Sequence, residues 1–418
     1  MDRKKKKQAA GKTAANVEQQ RKALKERFFY RTREIIIKIG GEAFLKRFPP
    51  IFLEKIYEHR YPVLKAKAAP DTDIDKSRIV QFNKLLLQFM EGAEITLPNG
   101  NKMPLSWYLS EGMTLRDCLA ELETNGDPGL EEIKRNFSFS FHDGPFHHEL
   151  QESLIDLVTE ISTFLSDYND RIYRADLSFT PYFAQYNPEN NIIIHTFKPK
   201  KEKIDTQKGP RTAIRLGWLS SEFKWEYFNV KPSLLGFKTT GLDVPLEVYI
   251  SMHTLERLQE RINITPGIMH QILLLTFLEP QIAHRWNEDE SHVDFLVSGH
   301  KAGYLVVKLD GSKLVIRTFL FLTNNDTFEG EKLGRLLSVV KEDKKYLEID
   351  TLPAFNSYHI DKNEELSKLF KDAGCGSLLK LGHIQEFTIN QIADKDPESI
   401  LHYLADAPYF MKKNDQPD

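Results

Sequence analysis

The stretch MHTLERLQERI, residues 252–262, decides how the second half of this chain is read. Counted at about 100° per residue, His253, Arg257 and Arg261 fall within roughly 80° of one another on a helix, with Leu255, Leu258 and Ile262 on the other side. One face therefore packs, and the other presents an imidazole and two guanidinium groups. Ser251 follows the extended run PLEVYI (245–250) and reads as an N-cap. That puts His253 in the first turn, where unpaired backbone amides, the helix dipole and the neighbouring Arg257 all disfavour a positive imidazole. An imidazole beside fixed cations suits cleavage of a phosphodiester without metal: a base or acid for the 2′-hydroxyl or leaving oxygen, and guanidinium forks for the phosphate. The same pattern also describes a solvated face on which Glu256 and Glu260 act as charge partners.

Outward from this helix, Asn263 and Ile264 end it, and Thr265-Pro266 supplies an N-cap and N1 proline for a second helix, GIMHQILLLTFL (267–278). Next come PQIAHRW, SHVDFLVS, GYLVVKL and KLVIRTFLFLT, the last three separated by GHKAG and by Asp310-Gly311-Ser312, a tight-hairpin signal. These read as consecutive antiparallel strands. Regular alternation sets Leu314, Ile316, Thr318 and Leu320 against Val315, Arg317, Phe319 and Phe321. Both faces are then largely apolar, as for a strand inside a sheet, with Arg317 and Thr318 the polar interruptions.

The register His253, Thr254, Leu255, Glu256, Arg257, Leu258, Gln259, Glu260, Arg261, followed by a turn, a second helix and a meander, resembles the RelE-like and barnase-like ribonuclease group, including BrnT-like toxins and uncharacterised relatives. The resemblance covers about 75 of the 418 residues. It implies active-site roles for His253, Arg257 and Arg261 and for a polar residue of the last strand, best matched by Thr318, with Arg317 beside it. The sequence departs from that pattern in two places. Thr254 stands where a small residue is usual, and Ile262-Asn263 where a glycine is usual.

Composition limits the rest. With 418 residues and 41% hydrophobic content the chain can bury two cores. Residues 1–34 carry a net charge of +8, so the remainder carries −11; a body that acidic does not bind polyanions broadly. The basic opening, residues 1–15, reads as a disordered tail. No apolar run follows it as in a secretory signal, and no stretch has the roughly 18 apolar residues of a membrane span, so no membrane partner is expected. Cys118 and Cys375 are the only cysteines, far apart and without ligand spacing, which fits a reducing cytoplasm; a bacterial origin is what the ribonuclease resemblance implies. Neither a phosphate-binding glycine loop nor a nucleophile elbow is present, and no cofactor is implied.

Along the chain, a helical stripe from Asn16 to about Ile39 is stopped by Gly40-Gly41, and helical patterns continue through EAFLKRF, PIFLEKIYEHRYPVLK and SRIVQFNKLLLQFMEGA. A hairpin is expected around Asn99-Gly100, then a helix TLRDCLAELE, then a long helix from His147 to Tyr173 opened by Asp143 as N-cap. His142, Asp143, His147, His148, Glu149 and Glu152 raise a metal question, which capping and dipole complementation answer more simply. From Tyr182 the pattern is extended, through YFAQY, NIIIHTFKP, TAIRLGWLS and FKWEYFNV. Residues 195–240 hold 10 Lys or Arg against 4 acids, interleaved with Phe197, Trp218, Trp225, Tyr227 and Phe228. That composition suits stacking on single-stranded bases, and equally a sheet core with a charged edge.

The fold expected is α+β: a mainly helical N-terminal domain (16–180), a domain with an antiparallel sheet and flanking helices (181–345), and a C-terminal helical extension (346–418). The function expected is a metal-independent, endoribonuclease-like hydrolase acting on single-stranded RNA, or a degenerate relative. The alternative is a non-catalytic interaction scaffold of a mobile element or phage, with the helical domain binding a protein partner.

Overall fold

The computed structural model describes residues 2–414 apart from 49, 71, 98, 122–125, 130, 133–144, 180–189, 206–208, 221, 239–242, 279–282, 286 and 390–391. The protein is of the α+β class, with helices concentrated toward the N-terminus and sheets flanked by helices. It divides into two compact units, one of residues 1–165 and 173–196, the other of residues 166–172 and 197–418.

In the first unit a helix runs Asp2–Leu45, reaching back through the lysine-rich opening where a disordered tail is expected. Lysine, glutamine and alanine are good helix formers, so nothing in the backbone stops it there. The break falls at Gly41, whose φ of 77° lies in the left-handed region open to glycine. Ile35, Ile36 and Ile39 are buried from this helix, and Phe82, Leu86 and Met90 from the helix Lys76–Gly92, one turn apart on one face. That second helix is capped by Asp75, whose carboxylate accepts from Ser77 N at 2.8 Å. The expected hairpin forms between Glu94–Thr96 and Lys102–Pro104, with Gly100 at φ 84°.

Two segments differ from their helical expectation. After Pro62, which holds its predecessor extended, the chain enters the strand Lys65–Ala68, which pairs in parallel with Asn190–Phe197. The long helix is Pro145–Leu165 and stops short of Tyr173; the chain turns at Asp167–Arg171 and becomes the strand Ile172–Phe179. NIIIHTF thus belongs to this unit's three-stranded sheet. Asp143 and His142, like YFAQY, lie outside the described residues, as do the side chains of His147, His148 and Glu149.

The second unit is built on an eight-stranded sheet. Its order is Ala283–Arg285, Glu290–Val297, His300–Asp310, Lys313–Phe321, Leu246–Ser251, Arg211–Arg215, Lys201–Ile204, with Asn229–Val230 pairing beside Leu246–Ser251. The last four strands before residue 322 form the expected antiparallel meander. The sheet is mixed, however, because Leu246–Ser251 runs parallel to Lys313–Phe321, the chain between them passing through the helices Met252–Ile262 and Pro266–Leu278. One face of the sheet carries the core: Val248, Ile250, Phe295, Leu305 and Phe321 are buried with Leu258 and Leu273 of the helices. Leu352, Phe370 and Leu381 lie in that same cluster, so residues 346–418 complete the sheet's core. On the other face, among the described residues, a smaller buried apolar group gathers Ile204, Ala213, Tyr249 and Val315.

His270 shows how a histidine on an apolar helix is accommodated. It stacks on Tyr168 with 3.9 Å between ring centroids and bonds through Nε2 to Gly217 O at 2.9 Å. Burial holds its pKa down at about 4, so it is neutral in the folded protein. The unfolded imidazole, near 6.5, binds a proton that the folded one refuses, so stability is lost as pH falls through that window. Between pH 7 and pH 4 this histidine is expected to withdraw on the order of 3 kcal/mol. Denaturant unfolding at both pH values should show His270→Gln losing markedly less stability than wild type; an equal loss would mean that His270 is not held neutral.

Candidate functional site

Strand Leu246–Ser251 ends where its neighbours continue. Its register pairs Ile250 with Ile316 on one side and Ser251 with Ala213 on the other. Past those pairs the left and right strands run on through Arg317-Thr318 and through Thr212-Arg211, while the middle chain turns up into the helix Met252–Ile262. A slot therefore opens between the flanking strands, two interstrand spacings or about 10 Å wide from backbone to backbone. The first turn of the helix stands at its head and brings His253 there. The resulting hollow is about 430 Å³ and is lined by Arg211, Ser251, His253, Arg317 and Thr318, with Ile204 and Val315 as apolar floor.

Two hydroxyls make this junction. Ser251 Oγ caps the helix, accepting from Thr254 N, and donates to Arg317 O at 3.1 Å. Thr254 Oγ1 donates to Ile316 O at 2.9 Å. Ile316 and Arg317 lie where the parallel partner strand stops, so these hydroxyls stand in for the missing ladder. Thr254 is fully buried beside Leu258 and Ile262, which gives a reason for its departure from the small residue of the resemblance. Asn263 likewise takes the glycine's part, closing the helix at φ 58°, a conformation asparagine tolerates.

The strand Lys313–Phe321 does not alternate as expected. Thr318 pairs with Val306 and Ile316 with Val307, leaving Arg317 as the extra residue of a bulge. The bulge shifts the phase: Leu314, Ile316, Phe319 and Phe321 are buried on the core face, and Val315, Arg317, Thr318 and Leu320 line the hollow. Two adjacent residues, Arg317 and Thr318, thereby reach one face.

Of the five residues singled out from sequence, His253, Arg317 and Thr318 meet in the hollow, and Arg257 and Arg261 do not. The reason is axial: residues at i and i+8 share a helix face but stand about 12 Å apart along it. Arg257 bonds Glu260 at 2.6 Å on the exposed side. Arg261 bonds the carboxylate of Asp350 and, at 2.8 Å, its carbonyl oxygen; with only 15% of either side chain exposed, it is a structural tie. Among the described residues neither Arg317 nor Arg211 has a carboxylate partner. Arg211, which the sequence reading passed over, reaches the hollow only because TAIR pairs with the strand beside His253, a pairing that no local pattern encodes.

The hollow's far wall differs in charge. Glu290, His292 and Asp326 line it, with His292 Nε2 3.5 Å from Glu290. Burial pushes the His292 pKa down, against the pull of Glu290. His253 itself is 41% exposed, with Nδ1 3.9 Å from Glu256. A larger groove of about 920 Å³ follows the other side of the same helix. Its described lining includes Asp167, Glu256 and Glu260 and no Lys or Arg, which does not suit a phosphate. The aromatics of residues 195–240 are mostly engaged with one another: Trp218 packs on Phe228 at 4.7 Å, and Arg215 lies over Tyr227 at 4.2 Å. Among the described residues no group of three or more His, Cys, Asp or Glu could hold a metal ion, and no helix is long and apolar enough to cross a membrane.

Compared with protein-family models, curated proteins and solved structures, the chain matches none. The ribonuclease resemblance therefore stands on the quoted residues alone.

The two helix arginines should part company on mutation. Arg261→Ala leaves the mostly buried Asp350 carboxylate without its cation and is expected to cost about 2 kcal/mol. Arg257→Ala, at an exposed i,i+3 pair, should stay within about 0.5 kcal/mol of wild type. Urea unfolding of both variants checks this, and equal effects would contradict the distinction.

Proposed function

We propose that the hollow at the end of strand Leu246–Ser251 cleaves single-stranded RNA without a metal ion. The observation that carries this reading is the meeting of His253 with Arg317, a guanidinium with no carboxylate partner among the described residues, beneath the positive end of a helix. The chemistry follows from those groups. The 2′-oxygen attacks the adjacent phosphorus and the bond to the 5′-oxygen breaks, giving a 2′,3′-cyclic phosphate and a free 5′-hydroxyl. His253 takes the proton from the 2′-hydroxyl and returns it to the leaving oxygen. Arg317 holds the non-bridging oxygens as their charge grows, with the Thr318 hydroxyl beside it. A fixed cation stabilises that charge best where water is partly excluded, as in a hollow. The carboxylates of Glu290 and Asp326 on the far wall favour an anion at the basic side of the hollow.

Full-length protein in excess chelator is expected to cleave unstructured RNA to products ending in a cyclic phosphate. His253→Ala should slow cleavage by about 10²–10⁴-fold and Arg317→Ala by about 10²–10³-fold, each with an unchanged melting temperature, while Arg257→Ala should cleave as wild type. Absence of cleavage by wild type over a broad panel of RNA sequences, or full activity of His253→Ala, would overturn the proposal.

A further inference from the structure

We propose that the slot takes two successive phosphates of its substrate, one at Arg317 and the next at Arg211, so that the ligand is an oligonucleotide strand crossing the sheet and not a mononucleotide. The inference rests on the reading of the hollow as an RNA site and specifies its substrate.

Three observations converge on it. The first is the spacing of the cations. Arg317 and Arg211 stand on opposite walls, separated by the missing end of the middle strand. Each guanidinium is a planar fork that chelates one phosphate, and the walls are about 10 Å apart at the backbone. The second is what adjoins them. Ile204, Ala213 and Val315 form an apolar patch with Tyr249, and two of the three floor the hollow. Ile204 and Val315, with only 5% and 3% of their surface accessible, give a nucleoside spanning the two phosphates an uncharged floor to cross, with no Phe, Tyr or Trp ring in the described lining to stack on. The third is the asymmetry of charge. Glu290 and Asp326 close the hollow on the far wall, while Arg211 stands on the hairpin to the edge strand Lys201–Ile204, beyond which the sheet ends. A phosphate chain leaving Arg317 is repelled from the acidic wall and drawn across the sheet toward Arg211. His253, at the head of the slot, then faces the phosphate at Arg317.

The test uses full-length protein and non-cleavable 2′-O-methyl oligonucleotides carrying a fluorophore and one, two or three internucleotide phosphates. Wild type is expected to bind the two-phosphate ligand about tenfold more tightly than the one-phosphate ligand, with little gain from the third. Arg211→Gln should erase that step while leaving one-phosphate binding unchanged. It should also lower the slope of log affinity against log salt for the two-phosphate ligand by about 0.7, one phosphate's worth for a single strand. Arg211→Lys, which keeps the charge, should retain most of the step, and melting temperatures establish that both variants fold. Equal weakening of both ligands by Arg211→Gln would mean that the two arginines share one phosphate, and no weakening would mean that Arg211 lies off the path; either result overturns the proposal. Because the ligands cannot be cleaved, a protein that shows the length step yet leaves natural RNA intact would overturn the cleavage reading and support this one.

Discussion

The pair of hydroxyl bonds from Ser251 and Thr254 to the carbonyls of Arg317 and Ile316 is the junction on which the slot in the second unit's sheet depends. A sheet normally satisfies its carbonyls by ladder bonds between strands of matched length. Here the middle strand stops at Ser251, and the side chains of Ser251 itself and of Thr254 in the following helix take over the bonds. Two carbonyls of the neighbouring strand keep a donor in this way, and a slot opens at the end of the middle strand. Because Ser251 both caps the helix and bonds the neighbouring strand, and Thr254 of the first turn bonds that strand beside it, the helix start and the slot are fixed to each other. His253 is carried to the slot's head by being two residues past the cap.

Charge then separates the arginines by role. Those on the helix are neutralised locally, Arg257 by Glu260 and Arg261 by Asp350, and the second of these fastens the helix end to the loop that begins the C-terminal segment. Arg317 and Arg211, which line the slot from the sheet, have no ion-pair partner among the described residues, whereas Arg215, on the same strand as Arg211, is held by Glu247 at 2.9 Å. An accessible guanidinium without a carboxylate partner is open to a ligand anion, which is why Arg317 and Arg211, and not the helix arginines, support the phosphate reading.

Much of the fold was legible because its signals are local. The meander from Ala283 to Phe321, the N-cap at Ser251, the Pro266 helix start and the break at Gly41 each follow from a few neighbouring residues. His253 was marked by its helical spacing with Arg257 and Arg261 and by the family resemblance, and Arg317 and Thr318 as polar interruptions of an apolar strand; these three line one hollow. What escaped the sequence is non-local or depends on phase. The bulge at Arg317 reverses the facing of Phe319 and Leu320, and no alternation rule announces a bulge. The strand at Lys65–Ala68 exists because Asn190–Phe197 lies beside it, more than a hundred residues away. Arg211 enters the slot through a pairing between distant segments. Helical spacing grouped Arg257 and Arg261 with His253 around the axis but ignored their separation along it. The share of the C-terminal helices in the sheet's core is equally invisible to periodicity, which shows that a face is apolar but not what it meets.

The most direct test is to watch the groups themselves by NMR, following the imidazole signals of the histidines and the guanidinium Nε–H signals of the arginines while a non-cleavable 2′-O-methyl trinucleotide is titrated in. Binding in the slot requires His253, Arg317 and Arg211 to shift together and saturate at one common concentration, with Arg257 and Arg261 unmoved. Shifts at Arg257 and Arg261 with none at Arg317 and Arg211 would contradict it.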